Sequence, residues 1–122
     1  MIKGIFRRNT PLVNIIMGWG HLAQTPFVVL DTGFTGDLQI TPQMAKELRL
    51  SLTTATKMRV ADGRIIEVPT TLAFVEMEGV KKYVQVLISE GMALAGIDLL
   101  SKFHYKAIVD CEHKTVELEK AA

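Results

Sequence analysis

Apolar residues along this chain come in short runs broken by Gly, Pro, Asn and Asp, not at the three- and four-residue spacing of long helices. Such runs read as β-strands. Lys3 to Arg7 and Leu12 to Met17 flank the turn-forming Asn9-Thr10-Pro11 and predict an opening hairpin. Phe27 to Leu30 is apolar throughout, the pattern of a strand covered on both faces, and Leu38 to Ile40 is a shorter run. Thr41-Pro42 then signals a helix start, with threonine as cap and proline at the first helical position. The helix is expected over Pro42 to Leu50, burying Met44, Ala45 and Leu48.

Further on, Met58 to Val60 and Ile65 to Val68 surround Ala61-Asp62-Gly63-Arg64. Asp-Gly between apolar strands is a strong hairpin signal, because its turn needs positive φ angles. Leu72 to Met77 and Tyr83 to Ile88 predict a second hairpin around Glu78-Gly79. Leu94-Ala95-Gly96 leads into a short helix over Ile97 to Phe103. Ala107 to Asp110 and Thr115 to Leu118 close the chain as a last hairpin, turning at Glu112-His113-Lys114. The sum is mostly β with two short helices, without linker, low-complexity segment or repeat of fixed period.

At 122 residues the expectation is a single domain over 1–122, a size that buries roughly two-thirds of its unfolded surface. A hydrophobic share of 48% supports a core and excludes a disordered chain. The net charge is +1 with scattered Lys and Arg, and aromatics make up only 7%, so neither nucleic acid nor an acidic membrane surface is expected as partner. The segment Pro11 to Leu30 is apolar but interrupted by Asn14, Gly18, Gly20, His21, Gln24 and Pro26, which argues against a membrane span. Cys111 stands alone, and no charged-then-apolar leader opens the chain; both point to a reducing compartment, the cytoplasm. His21, His104, His113 and Cys111 lack metal-ligand spacing, so no metal and no cofactor is expected.

The informative stretch is Phe27-Val28-Val29-Leu30-Asp31-Thr32-Gly33, where an apolar strand delivers a carboxylate onto a tight turn. An aspartate there is costly unless it is hydrogen-bonded, paired or protonated. The plain alternative is an Asp that caps its own turn. Asp-Thr-Gly after an apolar strand resembles the active-site motif of aspartic peptidases, and one copy in a short chain resembles the homodimeric, retropepsin-like branch. A looser duplication extends the likeness over Phe27 to Leu118: strand, glycine and helical stretch recur as Tyr83 to Ile88, Leu94-Ala95-Gly96 and Ile97-Asp98-Leu99-Leu100.

The resemblance implies an all-β, closed retropepsin-like barrel with one or two short helices, working as a homodimer. It implies an aspartic endopeptidase in which Asp31 of each chain forms the dyad, Thr32 cross-links the two loops and Gly33 admits the substrate backbone. Ala61, Asp62 and Gly63 would form a flap over a peptide or protein substrate, with Phe34, Leu94 and Gly96 lining the cleft. Read locally, Asp62 is a turn residue and Asp98 a helix N-terminal one. Two features depart from retroviral members. Phe34 stands where a small residue is usual, and Thr35 and Ile97 replace an acidic residue and an arginine that brace each other. Phe34 sustains the rival expectation, a catalytically weak or inactive module that keeps the fold for peptide binding or dimerisation.

Overall fold

The computed structural model describes residues 1–51 and 54–122. The strands are β1 (Ile2–Lys3), β2 (Ile5–Arg7), β3 (Thr10–Asn14), β4 (Ile16–Trp19), β5 (Leu22–Gln24), β6 (Phe27–Leu30), β7 (Leu38–Ile40), β8 (Thr54–Arg59), β9 (Ile65–Met77), β10 (Val80–Ile88), β11 (Leu94–Ala95), β12 (Tyr105–Asp110) and β13 (Thr115–Lys120). Two short helices, α1 (Pro42–Glu47) and α2 (Ile97–Lys102), interrupt them. The domain is all-β in character, as the sequence pattern predicts.

One curled sheet runs in the order β2-β3-β6-β11-β7-β10-β9-β4-β5, with β8 added to β9, and a second sheet is ordered β1-β13-β12. Side chains alternating inward from these strands, joined by Phe103 at the end of α2, make one main core around Val13, Met17, Val28, Leu38 and Val75. Inside the large sheet the chain repeats one motif. Strand β6, a turn, β7 and α1 are matched by β10, a turn, β11 and α2. The halves interlock, because β11 lies parallel to β6 (Leu94 opposite Val29) while β7 lies parallel to β10 (Leu38 opposite Val86).

Several local predictions hold in detail. Thr41 Oγ1 accepts from Met44 N at 3.1 Å and caps α1, with Pro42 following as its first residue. Glu78 and Gly79 both adopt positive φ, +49° and +81°, and close the β9–β10 hairpin directly between Met77 and Val80.

Other elements differ for identifiable reasons. Helix α1 stops at Glu47 rather than Leu50, because Arg49 turns left-handed (φ +54°) and Leu50 N caps back onto Ala45 O at 3.0 Å. The opening turn falls on Arg8-Asn9, with Thr10 and Pro11 inside β3. The single strand expected from Leu12 to Met17 is two strands, since β3 pairs with β6 and β4 with β9. Asn14 holds the break by donating to Thr25 O and Pro26 O. The Asp62-Gly63 connection is longer than a two-residue turn: Val60 N donates to Arg64 O at 2.9 Å, and within it Gly63 alone takes positive φ (+88°).

Between the two sheets, the buried Tyr105 phenol donates to Glu78 Oε1 at 2.6 Å. Burial and this acceptor push the phenol's pKa well above its usual value near 10. Its contribution is therefore complete below pH 10 and fades as pH rises further and the phenol ionises. Tyr105→Phe should lower unfolding free energy at pH 7 by about 1–2 kcal/mol. The deficit should shrink above pH 10, as read by denaturant titrations across that range.

Candidate active site

Alternation along β6 sends Val28 and Leu30 into the core and leaves Phe27 and Val29 on the opposite face, which Asp31 continues at the strand's end. Asp31 is half-buried, and its backbone N–H donates to Ala95 O at 3.0 Å. Its Oδ1 accepts from Gly33 N at 2.9 Å, which fixes the carboxylate over the turn. A Cβ at Gly33 would sit 3.2 Å from that same oxygen, so the absence of a side chain keeps the approach open. Thr32 and Gly33 are exposed beside it.

The loop after Asp31 is clasped by the turn that opens α2. Gly96 N donates to Asp37 O (3.0 Å), Ile97 N to Phe34 O (2.9 Å) and Asp98 N to Gly36 O (3.2 Å). This contact explains Gly96. A Cβ there would lie 2.2 Å from Gly36 O and 2.6 Å from Phe34 O, both backbone atoms that cannot swing aside. In the parallel register Leu94 and Ala95 sit opposite Val29 and Leu30, so Gly96 follows them as the neighbour of Asp31 across the ladder. Of these two neighbours only Asp31 carries a carboxylate.

Phe34 is only 7% exposed. Its ring packs against Gly36 and Gly96 and joins Val68 and Leu87, with Met58 and Leu94 alongside, in a small second core. It supplies no hydroxyl to Asp31, and it binds the Asp31 loop to β9 and β10. Leu94 lies half-buried against this cluster.

Across the loop, a hollow of about 390 Å³ separates Gly33–Asp37 from Thr56–Arg59 of β8. Strand β8 therefore faces the loop after Asp31, and Ala61, Asp62 and Gly63 are exposed at the tip of the β8–β9 hairpin. Asp62 is engaged in the turn itself, accepting from Arg64 N at 3.0 Å and pairing with Arg64 Nε at 2.6 Å. Asp98 occupies the first turn of α2, and Asp110 caps its own turn by accepting from Glu112 N and His113 N. The backbone N–H of His113 is the main cause of a carboxyl pKa below the usual range at Asp110. Among the described residues, no group of three His, Cys, Asp or Glu side chains is arranged to hold a metal ion.

Sequence reasoning overlooked Asp37. Its carboxylate is 3% exposed, accepts from Gln85 N at 3.0 Å and pairs with Lys102 at the end of α2. The pair joins the loop after Asp31 to the end of α2. A buried carboxylate requires such partners. The sequence offers only a faint sign of it, an acidic residue heading the buried run Leu38 to Ile40.

No family model matches the chain, and no curated protein matches it in sequence. Solved structures do match. The EIAV protease, complexed with the inhibitor HBY-793, aligns with a TM-score of 0.68 at 17% identity, over 84% of this chain and 95% of that one. A retropepsin-like aspartic protease from Rickettsia conorii aligns with a TM-score of 0.65 at 20% identity, over 99% of this chain and 91% of that one. The fold is that of retropepsin-like aspartic proteases.

The clasp around Gly96 generates a stability prediction. Gly96→Ala should cost about 2–3 kcal/mol or more, since its methyl meets carbonyl oxygens rather than flexible side chains. Gly63→Ala, whose Cβ meets nothing within 4 Å, should cost less, about 1 kcal/mol from its positive φ. Thermal or urea unfolding of both variants checks the ranking.

Proposed function

We propose that this chain is half of an aspartic endopeptidase, completed when two copies bring their Asp31 carboxyl groups together. The observation that carries this reading is Asp31 itself, held by Gly33 N at the end of β6 in a retropepsin-like fold. Asp-Thr-Gly occurs once in the chain and the neighbour of Asp31 across the ladder is Gly96, which argues that the second carboxylate comes from another copy. The surface beside Asp31 suits such a partner: a hollow of about 650 Å³ lies there, bordered by exposed Thr32 and Ile97 together with Leu100, Ser101 and His104.

Two carboxyl groups about 3 Å apart cannot both ionise, so the pair shares one proton and titrates as a unit. The ionised member takes a proton from a bound water as its oxygen attacks the scissile carbonyl carbon. The protonated member donates to the carbonyl oxygen, giving a tetrahedral diol. Collapse of the diol breaks the C–N bond, and the amine leaves with a proton from the dyad. Thr32 joins the two loops, and Gly33 admits the substrate backbone. The β8–β9 hairpin closes over an extended peptide, adding backbone hydrogen bonds and excluding water. Phe34 and Leu94 shape the apolar wall, while Gly96 keeps the loops close enough to form it.

Phe34 favours a second reading, a weak or inactive relative that uses the fold for peptide binding or dimerisation, because it supplies no hydroxyl to brace Asp31. A statine-type transition-state mimic separates the two, since only a working dyad binds the diol geometry tightly. The single, exposed Cys111 fits a reducing, cytoplasmic setting. Among the described residues no helix is long and apolar enough to cross a membrane.

On a peptide library, Asp31→Asn should abolish the cleavage seen with wild type, a loss of at least about 10³-fold. Equal cleavage by both proteins would remove the catalytic reading. Specific activity should also fall as protein is diluted through the dimer dissociation constant, measured by progress curves over a concentration series.

A further inference from the structure

A second groove opens on the face of the large sheet that bears Asp31. It encloses about 570 Å³. Leu12, Phe27, Val29, Met44 and Met92 give it apolar walls, and Arg7 and Arg8 stand at its rim. Register places it next to Asp31. Leu12 lies opposite Val29 across β3–β6, and Val29 is two residues before Asp31 on the same face, roughly 7 Å along the strand. An extended peptide crossing Asp31 would enter this groove within about two residues.

The rim is cationic and uncommitted. No acidic residue lines the groove, and among the described residues neither guanidinium takes part in an ion pair. Arg7 pairs with Thr10, so Arg8 and Asn9 form a two-residue turn, and Arg8 takes a φ of +57°. Two exposed arginines without an ion-pair partner, at the rim of an open apolar groove, are the arrangement from which binding of an anionic ligand is inferred. Guanidinium groups match carboxylates with paired, directional hydrogen bonds.

We infer that this groove selects extended peptides carrying an acidic side chain within about two residues of the position facing Asp31, with a neighbouring apolar side chain seated against Phe27, Val29 and Met92. The inference names a substrate class for the proposed endopeptidase and rests on that reading for its biological sense. Binding itself does not require hydrolysis.

The test therefore measures binding on the Asp31→Asn protein. Fluorescently labelled apolar peptides, each with one Glu scanned through the three positions on either side of the central bond, are titrated by anisotropy beside their Gln counterparts. At one or two positions Glu should bind about tenfold more tightly than Gln, and the preference should weaken with added salt. Arg7→Gln/Arg8→Gln should collapse the Glu-to-Gln ratio to within about twofold, and Arg7→Glu/Arg8→Glu should turn the preference toward Lys. Equal binding of Glu and Gln peptides throughout would overturn the inference. So would a double variant that becomes monomeric in sedimentation while keeping the wild-type Glu preference, because the guanidiniums would then serve the partner copy. If Asp31→Asn discriminates Glu from Gln but wild type cleaves none of the peptides, the groove stands and the endopeptidase reading falls.

Discussion

The structure depends on one close contact, the clasp between the loop after Asp31 and the turn that opens α2. Three backbone hydrogen bonds at 2.9–3.2 Å tie Phe34, Gly36 and Asp37 to Gly96, Ile97 and Asp98, and a fourth ties Asp31 N to Ala95 O. Both segments are irregular, so their backbone groups have no ladder to enter and satisfy one another instead. The approach is possible only because position 96 has no side chain. From this contact follow the place of Asp31, the burial of Phe34 beneath the loop, and the need for a cation beside the buried Asp37. The carboxylate at the surface is thus set on backbone that is paired on both sides, a stiff mount for a group whose chemistry demands position.

The same contact explains why the site reads as half of something. Two strand–turn–helix units interlock about it, and their register sets Gly96 beside Asp31. Any side chain at position 96 would hold the two turns apart, and the residue beside Asp31 therefore carries no second acid. In the account proposed here, a second copy restores the missing acid, and its symmetry places the pair on an axis. The exposed Thr32 and Ile97 lie on the side where that copy would dock.

Much of this was legible in the residues. Strict short-range signals transferred well: Thr41-Pro42 capped a helix and Glu78-Gly79 made the tight turn, whereas the apolar run ending in Asp31 was a strand covered on one face only, with Phe27 exposed on the other. Errors arose where tertiary pairing overrode local pattern. Leu12 to Met17 looked like one strand, yet Asn14 finds its acceptors in Thr25 and Pro26, and the chain parts there toward opposite ends of the sheet. Leu48 to Leu50 looked helical, but the left-handed Arg49 ended the helix early. Ile65–Met77 continues through Pro69 as one long strand, where composition suggested two. Asp37 was beyond reach, since its partners Gln85 and Lys102 lie 48 and 65 residues away and nothing local announces them. Phe34 was visible as a departure, while its function as a packing wedge under Gly36 and Gly96 required the fold.

The most direct test is the separation of the two Asp31 carboxyl groups in a crystal structure of the assembled protein. The account predicts a hydrogen-bonding distance of about 3 Å, with one water shared between them. Carboxyl groups far apart, or facing separate solvent regions in every assembly observed, would contradict it.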